Sequence, residues 1–313
     1  MKICMLGAGA LGSTIGGTLA KGGSEVYFID QWEEHINKIN EKGLKLTDGK
    51  EDYFVNVKGK TSPEGIGYAD LVIVLVKSFA TKTAIENASS IIGPNTLVMS
   101  LQNGLGNEEV IAEVVGKERV LGGKTYVGGV LLEAGYVSAG VKGKYTYIGE
   151  LDGKMTERVK AVADEFNKAG LLCEVSDNIT GMIWDKLLIN VATGALSGIT
   201  RLPYGGLYDE PRIKACAVAA VQEGINVAKA VGVKLKSEDP EYAWNAASEG
   251  LPPTFKASIL QSIEMGRPTE VTFINGSVVE WGKKYGIPTP VNETLVACVT
   301  GIERWLKDYA NKQ

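Results

Sequence analysis

Three groups of residues in this chain have types and spacing that could do chemistry. The first is Gly7-Ala8-Gly9-Ala10-Leu11-Gly12, a G-x-G-x-x-G pattern that follows the apolar run Ile3–Leu6 and opens a helical stretch. In that context the first glycine permits a tight turn and the second lets the backbone approach a pyrophosphate. The third allows close helix–strand packing, and the helix N-terminus offers free N–H groups to the phosphates. The pattern without its context is weak, because the chain holds 39 glycines. The second is Asp30, at the end of the next apolar run, where a carboxylate can accept both adenine-ribose hydroxyls. Gln31-Trp32-Glu33-Glu34 follows, with no cation before Lys38, so a 2′-phosphate would be repelled and NAD(H) is expected over NADP(H). An Asp at this place is also a common helix N-cap, and that reading stays open.

The third group is Lys186 and Asn190, four apart and therefore on one helix face. No charged residue occurs from Leu187 to Thr200, and Trp184, Leu188 and Val191 form an apolar stripe. A helix apolar nearly all round is buried, which would turn Lys186 toward a cleft rather than bulk water. A lysine that packs its stem and reaches solvent with its ammonium fits the same segment equally well. The sole histidine, His35, lies in a polar helical stretch and is expected to be exposed, so no His-Asp pair is available for acid–base chemistry. Cys4, Cys173, Cys216 and Cys298 are scattered, without metal-ligand or disulfide spacing, and are read as reduced thiols. No metal site is expected.

The elements that must hold these groups follow from pattern. Ile3–Leu6, Val26–Ile29, Leu71–Val76 and Thr96–Leu101 are continuous apolar runs, as in parallel strands covered on both faces. Helical stretches Leu11–Lys21, Glu33–Lys42, Thr81–Ile92 and Asn107–Val115 lie between them. This alternation predicts an α/β, doubly wound, Rossmann-type N-terminal domain. Glycine-punctuated β segments from Val120 to Gly149 would form the sheet's far edge, closed by a helix Met155–Ala169 and a strand Leu171–Val175. Beyond Asp177 only helical patterns occur, at roughly 179–199, 210–231, 238–249, 254–265, 270–285 and 291–309. The expected division is a dinucleotide-binding domain over 1–177 and an all-helical substrate-binding domain over 178–313, with a cleft at their junction.

Composition narrows the function classes. The net charge of −4 and the absence of a polybasic run argue against nucleic acid and membrane surfaces as partners. No segment approaches the roughly 18 apolar residues of a membrane span, and the first residues leave no room for a signal peptide, so a cytoplasmic protein is expected. Apolar helices in the second domain fit a homodimer.

Over essentially its full length the chain resembles the ketopantoate reductase (2-dehydropantoate 2-reductase) family. The resemblance rests on Gly7–Gly12, Asp70-Leu71-Val72-Ile73-Val74-Leu75-Val76-Lys77, Gln102-Asn103-Gly104 and Lys186-Leu187-Leu188-Ile189-Asn190. Ser258, Gly266-Arg267-Pro268-Thr269-Glu270 and Ile274-Asn275-Gly276 complete it, all in register. It implies reduction of 2-dehydropantoate to (R)-pantoate, on the route to pantothenate and coenzyme A, with NADP(H) as the family's alternative cofactor. Lys186 resembles the general acid, Asn190 and Ser258 the substrate-holding residues, and Glu270 an acid that orients the site and touches the cofactor. Lys77, Asn103 and the backbone near Val127 resemble cofactor contacts. Each has a plainer reading: Glu270 as a helix-start acid, Ser258 as an ordinary helical serine, Asn103-Gly104 as a turn. Gly194 stands where relatives often have asparagine, and Ser262 where many are acidic. Reduction of another small 2-oxo acid therefore remains an alternative, and a non-catalytic NAD(H)-binding regulator is the alternative of another class.

Overall fold

The computed structural model describes residues 1–310 and divides into two compact units. One comprises Met1–Gln102 and Asn107–Ile179; the other comprises Asn103–Gly106 and the chain from Thr180 on.

In the first unit the strands are β1 (Lys2–Leu6), β2 (Glu25–Ile29), β3 (Leu44–Thr47), β4 (Asp52–Val55), β5 (Lys58–Lys60) and β6 (Leu71–Val74). They continue as β7 (Leu97–Ser100), β8 (Val120–Thr125), β9 (Gly128–Glu133), β10 (Tyr136–Gly140), β11 (Thr146–Glu150) and β12 (Cys173–Val175). Five helices accompany them: α1 (Ala10–Lys21), α2 (Glu33–Lys42), α3 (Thr81–Asn87), α4 (Asn107–Val115) and α5 (Glu157–Lys168). The main sheet runs β12-β11-β8-β7-β6-β1-β2-β5, parallel except where β11 meets β8. This is a Rossmann-type doubly wound sheet. From β1 the chain winds outward through β2 and β5, then returns to β6 on the other side. Ligands of such sheets bind outside the carboxyl ends at that reversal.

Alternation along β1 explains why it reads as a continuous apolar run. Ile3 and Met5 enter one core with Ile15, Phe28 and Leu46, while Cys4 and Leu6 enter the opposite one with Val72, Val74 and Ile111. Both faces are dry, so both sets must be apolar. Burial also pushes the thiols of Cys4 and Cys173 up to about 12, which leaves them protonated and inert.

Two features depart from the sequence pattern. A second sheet, β4-β3-β10-β9, joins segments far apart in the chain, so β9 and β10 are not part of the main sheet's edge. Helix α1 lies between the sheets: a Cβ on Gly16 would come 2.6 Å from the Phe28 ring, and one on Gly17 would come 2.8 Å from Leu44 and Leu46. Its scarcity of charge follows from being covered on two sides. The expected helix over 81–92 ends at Asn87 and resumes as a 3₁₀ turn over Ser89–Ile91.

In the second unit the helices are α6 (Ile179–Thr200), α7 (Tyr204–Tyr208), α8 (Pro211–Val231), α9 (Pro240–Ser248), α10 (Ser258–Glu264), α11 (Asn275–Tyr285) and α12 (Pro290–Asp308). No strand occurs there among the described residues. The helix expected over 270–285 is broken: a 3₁₀ turn covers Val271–Phe273, and Ile274, at ψ −91, separates it from α11. The helix expected over 254–265 begins only at Ser258. No helix of the described residues is long and apolar enough to cross a membrane.

Candidate active site

The glycine loop is built by close backbone packing. Gly7 has φ +104, and a Cβ there would lie 2.8 Å from the Leu75 carbonyl carbon and the Val76 nitrogen, so the loop rests directly on the segment after β6. A Cβ on Gly12 would strike the Gly7 carbonyl oxygen. Gly9 differs, since a Cβ there meets nothing within 4 Å. Two glycines are therefore required by the fold itself, whereas Gly9 keeps open the space into which a phosphate would come. This is the observation that fits the residues present to a dinucleotide.

Asp30 has both carboxylate oxygens engaged. Oδ2 accepts from the Ala8 N–H at 2.6 Å and Oδ1 from the Trp32 N–H at 2.9 Å. It thus braces the glycine loop, and it is not the N-cap of α2, a place held by Trp32. Each oxygen retains a lone pair for a ribose hydroxyl. Asp30 and Gln31 line a cavity of about 470 Å³ with Thr61, Ser62 and Glu64, backed by apolar residues such as Ile29 and Val76. No lysine or arginine lines it among the described residues. Thr61–Glu64 carries no motif, and only the fold brings it to Asp30.

Lys77 follows β6 as the residue before the 3₁₀ turn Ser78–Ala80. Gln102 joins the ends of β6 and β7, donating to the Val76 carbonyl at 2.7 Å and the Thr81 hydroxyl at 2.8 Å. Val127 is buried between β8 and β9, its N–H bonded to Thr125 Oγ1 at 3.0 Å. His35, expected on the surface, is fully buried. The Gly135 N–H donates to its Nδ1 at 3.0 Å, and Ser13 Oγ lies 3.2 Å from its Nε2. The hairpin that joins β9 to β10 covers it, a contact 100 residues away in sequence. Burial depresses its pKa, opposed by the charge of Asp30.

In the second unit, α6 is anchored by its apolar stripe. Trp184 and Leu188 are buried, Trp184 edge-on to Trp281 of α11 at 6.1 Å, and Leu188 fills the notch at Gly224 of α8. Lys186 and Asn190 lie half-buried on another face of the same helix. One and two turns further, Gly194 and Gly198 seat α10: Cβ atoms there would meet Ile259 at 3.1 and 2.6 Å. That seat places Ser258, the exposed first residue of α10, beside the residue docked on Gly194. Glu270 is buried, just ahead of the Val271–Phe273 turn. The Asn103–Gly106 loop is tied to that turn. Leu105 N–H bonds the Phe273 carbonyl at 3.1 Å, and Ser277 Oγ bonds the Leu105 carbonyl at 3.2 Å. Gly104, at φ +91, lies where a Cβ would come 2.5 Å from Phe273 O, so this Asn-Gly pair is a packed turn as well as a candidate contact.

Gly7–Gly12, Asp30, Lys77 and Val127 thus belong to the first unit, and Asn103, Lys186, Asn190, Ser258 and Glu270 to the second. A glycine loop of the dinucleotide-binding pattern and a set of polar residues on a helical body are parts that a nicotinamide-dependent reductase needs. Residues 3–153 match the family described as Ketopantoate reductase PanE/ApbA, and residues 178–303 match its C-terminal counterpart. The chain belongs to the ketopantoate reductase PanE/ApbA family. It is 38% identical to a 2-dehydropantoate 2-reductase of Pyrococcus horikoshii over 303 residues, covering 97% of this chain and 98% of that one. A 2-dehydropantoate 2-reductase of Archaeoglobus fulgidus is 34% identical, with 97% and 99% covered. Among solved structures, a PanE/ApbA family ketopantoate reductase from Ralstonia eutropha JMP134 superposes with a TM-score of 0.90 at 34% identity, covering 98% of this chain and 100% of the other. D-mandelate dehydrogenase, in a ternary structure with NADH and anilino(oxo)acetate, also gives 0.90, at 28% identity and 98% and 100% coverage. Family membership makes the chain a nicotinamide-dependent oxidoreductase with a small-molecule substrate.

Proposed function

We propose that the chain reduces 2-dehydropantoate to (R)-pantoate, with NADH preferred over NADPH. The observation that carries this reading is the pair Lys186 and Asn190, half-buried one turn apart on a helix whose Trp184, Leu187, Leu188 and Val191 are all buried.

The division of labour follows the two units. Residues 1–177 serve mainly the dinucleotide and residues 178–313 the substrate, with Asn103, which packs with the second unit, assigned to the dinucleotide. Gly7–Gly12 receives the pyrophosphate, Asp30 the adenine ribose, and Lys77, Asn103 and the Val127 backbone the remainder. The dinucleotide, when bound, supplies a hydride to C2 of the 2-oxo acid. Lys186 stabilises the negative charge that gathers on the C2 oxygen and transfers a proton to it from Nζ, leaving a neutral amine that solvent reprotonates. Asn190 and Ser258 hold the substrate's polar groups, and Glu270 orients the ammonium. The preference for NADH is supported by the cavity at Asp30, whose lining offers carboxylates and no cation.

A second reading has its own support. At Gly194, where the family resemblance anticipates an asparagine, the neighbouring atoms belong to the aliphatic Ile259. That notch is filled by α10 and offers no amide to a substrate, and D-mandelate dehydrogenase shares the fold. Steady-state oxidation of NADH and NADPH against 2-dehydropantoate, branched aliphatic and aryl 2-oxo acids separates the readings. The proposal expects the highest kcat/KM for 2-dehydropantoate with NADH. A higher value for an aryl or alkyl 2-oxo acid replaces it with the second reading. Dinucleotide binding without turnover of any carbonyl compound makes the chain a regulator instead.

A further inference from the structure

Behind the glycine loop runs a buried series of hydrogen bonds that the proposed chemistry leaves unused. Its polarity is fixed by its ends. The Gly135 N–H can only donate, so His35 Nδ1 accepts at 3.0 Å and carries no hydrogen. The neutral ring then has its hydrogen on Nε2, which faces Ser13 Oγ at 3.2 Å. Ser13 Oγ passes its own hydrogen to the Ala8 carbonyl at 2.7 Å. Ala8 is fixed from its other side as well, through its N–H to Asp30 Oδ2 at 2.6 Å. The His35 ring is further held by stacking on Trp32, with centroids 4.9 Å apart and planes at 14°.

Peptide geometry gives this series a consequence. The Ala8 carbonyl and the Gly9 N–H belong to one planar trans unit and point in opposite directions. Drawing the carbonyl inward to Ser13 therefore turns the Gly9 N–H away from Ser13, in a loop where an added Gly9 Cβ would meet nothing within 4 Å. That N–H then joins the free N–H groups at the start of α1 as a donor for a pyrophosphate oxygen. Released from Ser13, the same peptide unit could rotate and present its carbonyl oxygen, which repels an anion.

We propose that His35 and Ser13 are positioning residues for the dinucleotide, relaying the β9–β10 hairpin to the Ala8–Gly9 peptide and aiming the Gly9 N–H at the phosphate site. The proposal rests on the reading of Gly7–Gly12 as a dinucleotide loop. Neither residue touches the ligand. Their effect is on affinity for the nucleotide and not on the chemical step.

The test is NADH affinity by calorimetry on the full-length protein, beside apo melting temperature and kcat, for Ser13→Ala, His35→Asn, His35→Gln and the double variant Ser13→Ala/His35→Asn. Asparagine can replace only the Nδ1 acceptor, whereas the glutamine amide nitrogen can replace the Nε2 donor. Ser13→Ala and His35→Asn are each expected to weaken NADH about 3- to 10-fold, the worth of one hydrogen bond, without lowering kcat at saturating NADH. His35→Gln should bind within about 2-fold of the parent, and the double variant no more weakly than Ser13→Ala, because one relay can be broken only once. Unchanged affinity in Ser13→Ala, or losses that add in the double variant, would overturn the relay while leaving the dinucleotide reading intact. Should the parent bind neither NADH nor NADPH, both fall. Ser13→Ala, the smallest change, decides alone if His35→Asn does not fold.

Discussion

Replacing Gly9 by alanine separates what the fold needs from what a nucleotide needs. Gly9 has φ −63 and ψ −174, a conformation open to any L-residue, and an added methyl touches no atom of the protein within 4 Å. The folded state is therefore undisturbed, and the loss of backbone freedom in the unfolded chain should raise stability by about 0.4–1 kcal/mol. The same methyl stands where the loop backbone must approach a pyrophosphate. Overpacking of a well-fitted contact costs about 1–3 kcal/mol, which corresponds to a ~5- to ~150-fold weaker Kd. Gly12→Ala should behave in the opposite way, because its methyl collides with the Gly7 carbonyl in the folded protein itself. Melting without ligand and NADH titration by fluorescence measure the two quantities on the same samples. Gly9→Ala with parental affinity for both NADH and NADPH refutes the assignment of this loop, as does a Gly9→Ala protein that melts well below the parent.

Three further outcomes follow from the site and its surroundings. Asp30→Ser with Gln31→Arg removes an anion from the cavity and adds a cation, so the NADPH/NADH ratio of kcat/KM should rise at least ~10-fold, the scale of one charge-assisted hydrogen bond. Unchanged selectivity would place the ribose elsewhere. Burial raises the Glu108 pKa to about 8 from 4.5, so the unfolded chain gives up this proton first and stability falls as pH rises from 4.5 to 8, by at most about 1.4 kcal/mol per unit. Glu108→Gln should flatten that slope and melt higher than the parent at pH 8; equal melting at pH 8 contradicts the assignment. His35 has the reverse sign. Its folded pKa lies below 6.5, so the unfolded chain takes up a proton first and stability falls as pH drops below 6.5, with Asp30 opposing the effect. His35→Gln should remove that acid-side decline, and a melting curve against pH that is identical to the parent's would show that His35 is not the group responsible.

The strands that carry the cofactor loop were legible because they are dry on both faces: Ile3–Leu6 and Leu71–Val74 admit only apolar residues. The second sheet was not. β3 and β4 are four residues long and half polar, with Leu44, Leu46 and Val55 as their buried apolar residues. Two of those pack on α1, a partner that pattern cannot name. His35 misleads for the same reason. Its neighbours Glu33, Glu34 and Lys38 are exposed and announce a surface helix, while the covering hairpin lies a hundred residues away. Ser13, directly after the glycine motif, is the one local sign that the loop has a support behind it. In the second unit, the spacing of Lys186 and Asn190 was readable, but the break at Ile274 was not. The sequence Val271-Thr272-Phe273-Ile274-Asn275 lacks proline, and the partner that holds the turn, the Asn103–Gly106 loop through Leu105 N–H to the Phe273 carbonyl, is far away in the chain.

The central claim is that the Lys186 ammonium delivers the proton in 2-oxo acid reduction. Its most direct test is Lys186→Ala, with kcat for 2-dehydropantoate and NADH affinity measured together. The expected result is a kcat at least ~100-fold lower, as for loss of a general acid, with the Kd for NADH within about 2-fold of the parent. Turnover at the parental rate would contradict it.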